Sequence, residues 1–168
     1  RGGYTNAYTA GDHTNYHFEI DPEHLDGALD RFAQFFTAPL FNTQYLERER
    51  RIVDSEHSKN IPNDFRRLFE VRKQTYVPGH PLQKFSTGNL QTLGFTTRDD
   101  VIDFYTRYYS SNRMTLAVSG TQSLDELQEM VVPRFYEIVD RNLDEITFPT
   151  EYLAPNSRFR LLQVKPLS

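Results

Sequence analysis

The order of expected elements is two strands, four helices, a strand, a helix and a final strand. It predicts an α+β fold, a mainly antiparallel sheet with several helices packed on it. Three observations carry this expectation. Tyr and Thr recur at alternate places on both sides of Ala10-Gly11-Asp12, the pattern of an antiparallel hairpin. Leu25, Ala28, Leu29, Phe32 and Phe36 follow helical spacing. Apolar runs at 114–120 and 158–164 are short, as strands are.

The hairpin comprises Tyr4 to Thr9 and His13 to Ile20, where Thr14, Tyr16, Phe18 and Ile20 share one face. Asp21-Pro22 opens the first helix, with Asp21 as N-cap and Pro22 at the first helical position. Thr37-Ala38-Pro39 closes it, because the residue before proline avoids helical geometry. Asn42 or Thr43 caps a second helix reaching about Ile61. Pro62-Asn63 breaks the pattern, and a third helix runs from Asp64 to about Tyr76. Residues 82–96 read as an irregular loop in which Gly88 permits a tight conformation. Thr97 with Asp100, and Ser123 with Glu126, are capping boxes for helices reaching about Tyr109 and Val139. Pro133 is expected to kink or interrupt the latter.

The 168 residues and 19.7 kDa are enough for one ordinary domain with a sizeable core. A hydrophobic content of 38% and an aromatic content of 14% exclude a disordered chain. Lys and Arg number 19 against 23 Asp and Glu, a formal charge of −4, which argues against a nucleic-acid binder. Cysteine is absent, which excludes disulfides, zinc ribbons and thiol nucleophiles and fits a reducing compartment. No apolar run is long enough to span a membrane. The chain opens within a strand, without an initiator Met, and closes on a new strand. A piece of a longer protein is therefore expected.

The informative helix runs from Tyr45 to Asn60. On a wheel at about 100° per residue, Glu56 lies about 20° from Glu49 and about 10 Å further along the axis. Leu46, Ile52 and Val53 flank the pair, so an apolar stripe centred on two carboxylates is expected, with Glu47, Arg51, Asp54 and Ser58 opposite. A carboxylate in such a stripe is costly unless it is protonated, ion-paired or bound to a metal. The pattern alone leaves an ordinary salt bridge, a metal ligand and an acid–base group all open.

Several segments together carry a resemblance. They are Thr5-Asn6-Ala7-Tyr8-Thr9, Asp12-His13-Thr14-Asn15-Tyr16, Glu23-His24-Leu25, and Gly27 to Phe36. Pro39-Leu40-Phe41, Val53-Asp54-Ser55-Glu56-His57, Lys84-Phe85, Thr87-Gly88-Asn89 and Tyr108 to Met114 continue it. In order and spacing this set resembles the insulysin branch of the insulinase–pitrilysin zinc metallopeptidases, the inverzincins, over nearly the whole chain.

The resemblance implies a zinc ion held by two His and one Glu, the histidines belonging to an inverted H-x-x-E-H motif whose Glu is the general base. It carries the third zinc-ligand role onto Glu56 and a supporting role, beside the ligands, onto Glu49. None of the five histidines, His13, His17, His24, His57 and His80, has the H-x-x-E-H spacing. By the resemblance that motif lies a few tens of residues before Arg1, and residues 1–168 alone are expected to be inactive. Asn6, Ala7, Tyr8 and Thr9 match the edge strand along which a peptide substrate lies, against the plain alternative of a solvent-facing sheet edge. Phe69 matches a residue lining the pocket after the cleaved bond, and core packing accounts for it equally well.

Other features have plainer readings. His13 and His17 are four apart on a strand and read as surface or core-edge residues. His57 points about 100° from Glu56 and is not taken as a ligand. Arg48, Arg50, Arg51, Arg66, Arg67, Arg72 and Lys73 are expected to pair with acidic groups of the same protein.

The expected function is that of a fragment of a zinc metalloendopeptidase acting on short flexible peptides in the cytoplasm. Residues 1–140 are expected to form the C-terminal part of its first peptidase domain, 141–157 a linker and 158–168 the start of the next domain. Its partners are peptide substrates and the remaining domains of the same chain, with no nucleic acid and no membrane span. The alternative is a catalytically silent homologous domain that binds peptides or acts as a scaffold.

Overall fold

A computed structural model describes residues 2–167. The chain forms two compact units. One holds the N-terminal stretch through Leu40 together with Ile102–Glu145, and the other holds Phe41–Val101 with the residues from Ile146 onward.

In the first unit, strands β1 (Tyr4–Thr9) and β2 (Thr14–Glu19) pair antiparallel, with Asn6 opposite His17 and Tyr8 opposite Asn15. Ala10 N–H donates to His13 O at 2.8 Å across the turn. Asp21 and Pro22 start a 3₁₀ turn, Pro22–His24, and helix α1 (Leu25–Thr37) follows it. Asp21 therefore precedes the turn rather than α1, and its side chain makes no capping bond. The helix ends where expected, at the residues before Pro39.

The core of this unit is Leu25 and Leu29 of α1 with Leu127 of helix α6 (Leu124–Phe135). Phe18, Ile20, Val118, Met130, Val131 and Phe135 pack around them. Phe32 extends the core as an aromatic hub, with Phe18 at 5.0 Å and Phe36 at 5.4 Å, both edge-on. Tyr16 reaches from β2 to share a hydrogen bond with the Tyr109 hydroxyl. Burial, and then the Tyr16 hydroxyl, push the Tyr109 phenol well above its ordinary range. Ser110, fully buried, accepts from Arg141 N–H at 2.8 Å and donates to Asn112 Oδ1 at 2.5 Å.

The second unit contains α2 (Thr43–Asn60), α3 (Asp64–Lys73) and the four-residue α4 (Leu90–Leu93). Helix α5 (Arg98–Tyr108) begins in this unit and continues into the first. Asn42 and Asn63 cap α2 and α3, each accepting a backbone N–H at 3.0 Å. Helix α3 stops three residues short of the expected end because Thr75 to Val77 pair elsewhere. Val77 N–H donates to Tyr152 O, and Ala154 N–H donates to Thr75 O, both at 2.9 Å. Tyr76 and Leu153 form an isolated bridge.

His80 fastens this pairing from the side. It is 8% exposed; Leu82 N–H donates to its Nδ1 at 3.1 Å and Nε2 meets Pro149 O at 3.2 Å. With Nδ1 accepting, the proton belongs on Nε2, which donates to the carbonyl.

Both expected capping boxes are present. Asp100 accepts from Thr97 N–H at 2.7 Å, and Glu126 accepts from Ser123 N–H at 2.8 Å. These backbone donors, followed by the Thr97 and Ser123 hydroxyls, hold both carboxyls below their ordinary range. Pro133 lies inside α6, which ends two residues later at Phe135 rather than near Val139.

Two expectations do not hold. Residues 114–120 and 158–164 form no strand, and the only sheet among the described residues is the β1–β2 pair. An apolar run becomes a strand only where a neighbour accepts its ladder bonds, and the described residues offer none. Val118 goes into the core, whereas Phe159 and Leu161 stay exposed.

Replacing His80 with Ala leaves Leu82 N–H and Pro149 C=O without their partner. Unfolding free energy is expected to fall by about 1–3 kcal/mol, readable as a lower urea midpoint. An unchanged midpoint removes His80 from the fastening role.

Candidate functional site

Helix α2 has 18 residues and buries none of them completely. Its packed face is formed by side chains that touch residues 85–96. The His57 ring meets Phe85 edge-on at 5.0 Å. A Cβ placed on Gly88 would reach ordinary contact distance, 3.6 Å, from Val53 Cγ1, so the loop passes beside the helix there. Asp54 Oδ1 accepts from Leu90 N–H at 2.8 Å. Arg50 donates from one guanidinium nitrogen to Gly94 O at 2.5 Å and to Thr96 O at 3.2 Å.

The apolar stripe expected around Glu49 and Glu56 is therefore displaced. Both glutamates are exposed, and Ile52 is exposed beside them. The packed direction runs through Arg50, Val53, Asp54 and His57, roughly 90–110° around the helix from the two carboxylates. Asp54, expected opposite the stripe, is half-buried and hydrogen-bonded. The physical reason is that a polar side chain with a backbone partner seats as well as an apolar one, which a hydropathy wheel does not count. Glu49 and Glu56 still share one direction, on the same side of α2 as Val53 and Leu46 rather than opposite them.

No group of three His, Cys, Asp or Glu able to hold a metal assembles among the described residues. A zinc site normally takes three protein ligands. The donors present therefore do not fit a complete zinc centre, and Glu56 is at most one member of a donor set. His57, beside it in sequence, is occupied against Phe85.

Asn6, Ala7, Tyr8 and Thr9 lie on β1, exposed throughout, in the first unit. Among the described residues β1 pairs only with β2, so its second edge is open. By the alternation of an antiparallel pair, with Ala10 N–H bonded across the turn, the backbone groups of Thr5, Ala7 and Thr9 face that edge. Ala7 N–H is already taken, by Asn6 Oδ1 at 2.8 Å. Tyr4, Tyr8 and His17 cover the outward face: Tyr4 OH lies 2.8 Å from His17 Nε2, and the Tyr8 ring lies 6.5 Å from the imidazole.

Phe69 belongs to the second unit and is 44% exposed on α3, edge-on to Phe65 at 5.1 Å. Of the basic cluster, Arg67 pairs with Asp64 and Lys73 with Glu70, both at 2.7 Å, while Arg72 lies over the Tyr76 ring. The residues that hold the helix, Arg50 and Asp54, had no visible signal as a pair. The clue lay in Asn89 and Thr92, a capping box within a stretch read as irregular, which marks a short helix against α2.

The sequence of this chain matches a known family. The family model described as insulinase (peptidase family M16) matches residues 1–84, and one described as peptidase M16 inactive domain matches residues 96–165. The chain belongs to this family.

Within it, the chain is 44% identical over 172 residues to the insulin-degrading enzyme of Homo sapiens, covering 98% of this chain and 17% of that protein. It is 37% identical to the A-factor-processing enzyme of Saccharomyces cerevisiae, over 99% of this chain and 17% of that one. The crystal structure of pitrilysin superposes with a TM-score of 0.86 at 32% identity, covering 93% of this chain and 17% of that one. The chain thus spans about one-sixth of the length of these relatives. The α+β fold is that of pitrilysin over the matched region.

Gly88 has φ +90°, and a Cβ there would sit 2.6 Å from Leu93 Cδ1. Gly88→Ala is expected to lower unfolding free energy by about 1–2 kcal/mol, from the left-handed backbone alone. Hydrogen exchange should show the loss first at Leu90 and Gly94. Unchanged protection there would mean that the loop tolerates a side chain.

Proposed function

We propose that this chain is part of a zinc metalloendopeptidase, in which Glu56 is one ligand of the metal and Glu49 supports the ligand set from the same face. The observation that carries the reading is that two carboxylates seven residues apart project in one direction from α2 and are held away from every seated contact of that helix. Exposed carboxylates with no hydrogen-bond or ion-pair partner among the described residues are available to a metal completed by imidazoles outside these residues. The zinc-protease naming of a Schizosaccharomyces pombe relative supports the choice of metal.

When bound, zinc supplies an acidified water and polarises the scissile carbonyl. The chain's own contributions are a carboxylate donor at Glu56 and a peptide-binding edge at β1. A peptide added to that edge pairs with the outward backbone groups of Thr5, Ala7 and Thr9, which explains tolerance of many sequences. To bond Ala7 N–H it must displace Asn6 Oδ1, so that contact is an exchange rather than a gain. Phe69 offers an apolar surface for a substrate side chain, and the absence of cysteine suits a cytoplasmic location. The alternative is a catalytically silent domain that binds peptides along β1, in which loss of Glu56 would change no zinc content.

Two measurements test this reading. In the longer protein that carries this chain, Glu56→Gln should remove most bound zinc and activity while leaving the unfolding midpoint of the metal-free protein almost unchanged, since the side chain is exposed. Full zinc occupancy in that variant would refute the ligand role. Residues 1–168 alone should bind zinc weakly and hydrolyse no peptide. Tight stoichiometric binding by this piece would show that another donor set is at work.

A further inference from the structure

Residues 149–167 run back along α3 and are pinned at both of its ends. Just past the end of the helix, Val77 N–H donates to Tyr152 O and Ala154 N–H donates to Thr75 O, both at 2.9 Å. At its beginning, Arg67 donates to Lys165 O at 3.2 Å and Leu167 N–H donates to Asp64 Oδ1 at 2.7 Å. Arg67 and Asp64 are themselves an ion pair. The segment is thus a strap, with Phe159 and Leu161 exposed in its middle.

His80 is the buried titratable group at the first of these pins. Its backbone is set independently of its ring. His80 N–H donates to Val77 O at 3.0 Å, and its carbonyl accepts from Gln83 N–H at 2.9 Å. The Gln83 side chain tightens the same turn, accepting from Gly79 N–H at 2.9 Å and donating to Tyr76 O at 3.2 Å. The ring is thereby held with Nδ1 on Leu82 N–H and Nε2 on Pro149 O. One nitrogen accepts and the other donates, which only the uncharged imidazole can do.

A second proton turns Nδ1 into a donor, so that Nδ1–H and Leu82 N–H point at each other. Turning the ring over does not help, because an imidazolium has no acceptor to offer. The surroundings offer no compensation either. Towards α3 the ring meets Tyr76, with the Arg72 guanidinium over that same phenol ring, and Lys73 is paired with Glu70. Its own turn closes on Lys84. On the strap, Glu151 is paired with Arg158, and Tyr152 lies edge-on to Tyr76. Among the described residues, the hydrogen-bond partners of the imidazole are Leu82 N–H and Pro149 O, neither of them a carboxylate. A buried charge without a partner is costly. It is relieved when the ring moves out to water, and that movement takes Nε2 off Pro149 O.

We propose that His80 is a pH-operated latch: uncharged, it fastens the start of the strap beside the end of α3, and charged, it lets that end go while Asp64 and Arg67 keep the other. Histidine gains its proton between neutral and mildly acidic solution, whereas a carboxylate–guanidinium pair keeps its charges through that range. Opening uncovers Tyr76, which is buried while the strap is closed. The latch uses no residue of α2 and does not rest on the zinc reading.

The test is hydrogen exchange, read by mass spectrometry on the longer protein that carries this chain, at about pH 7.5 and about pH 5.5, with times scaled for the intrinsic pH dependence of amide exchange. In the parent, stretches 75–83 and 149–154 should lose protection by roughly 5–100-fold at the lower pH, the scale of one or two buried hydrogen bonds. Helix α2 and residues 165–167 should keep theirs. His80→Gln retains a donor for Pro149 O, and His80→Asn retains an acceptor for Leu82 N–H. Neither side chain titrates, so both variants should lack the pH step. A step that persists in either variant belongs to another group and overturns the proposal. So does a parent equally protected at both pH values. A loss that reaches α2 or residues 165–167 to the same extent is general acid unfolding and overturns it as well. If both variants are already loose at the higher pH, the confinement of the parent's loss to the two stretches decides the matter.

Discussion

The second unit depends on how a strongly polar helix is held without a hydrophobic core of its own. Helix α2 completely buries none of its 18 residues, so area burial alone does not hold it. What holds it is a line of specific partners along one narrow face: an aromatic edge at His57, an accepted N–H at Asp54 and two bonded carbonyls at Arg50. Such contacts contribute about 1 kcal/mol each, more where a charge is involved. Their directionality, more than their sum, gives the helix a defined face. The remainder of its surface is then free to carry carboxylates.

The first unit is organised on the opposite principle. Leu25, Leu29 and Leu127 form a small aliphatic centre, and Phe18, Phe32, Phe36 and Phe135 extend it as a set of edge-on rings. Tyr16 and Tyr109 close its rim with a hydrogen-bonded hydroxyl pair, in which burial pushes the Tyr109 phenol above its ordinary range. The hairpin rests on this base through one face only. Its other face, bearing Tyr4, Tyr8 and His17, and its outer edge remain available.

Much of the fold could be read from residue order. Side-chain caps at Asn42, Asn63, Thr97 and Ser123, and the prolines at 39 and 62, set helix limits by local chemistry, and the helices begin or end beside them. What could not be read depended on partners distant in sequence. Helix α3 ends at Lys73 because Thr75 to Val77 pair with residues 152–154, which no local pattern reveals. The runs at 114–120 and 158–164 have strand composition, but a strand exists only with a neighbour. At the site, the seven-residue spacing of Glu49 and Glu56 was legible and their shared direction follows from helix geometry. Their burial was not, because a wheel scored by hydropathy treats Asp54 and Arg50 as solvent-facing. Family membership came from motif order across the chain, including Thr87-Gly88-Asn89, whose structural use became clear only against α2.

The Asn6 side chain has an effect on how the isolated chain behaves in solution. Open sheet edges invite copies of a protein to zip together, and β1 is such an edge, short and exposed. By folding its amide oxygen onto Ala7 N–H, Asn6 blunts the central donor of that edge. A second copy approaching in ladder register would find a missing rung at the midpoint and would gain little from the two outer ones. The Asn6 side chain thus lowers what two copies would gain by pairing along this edge.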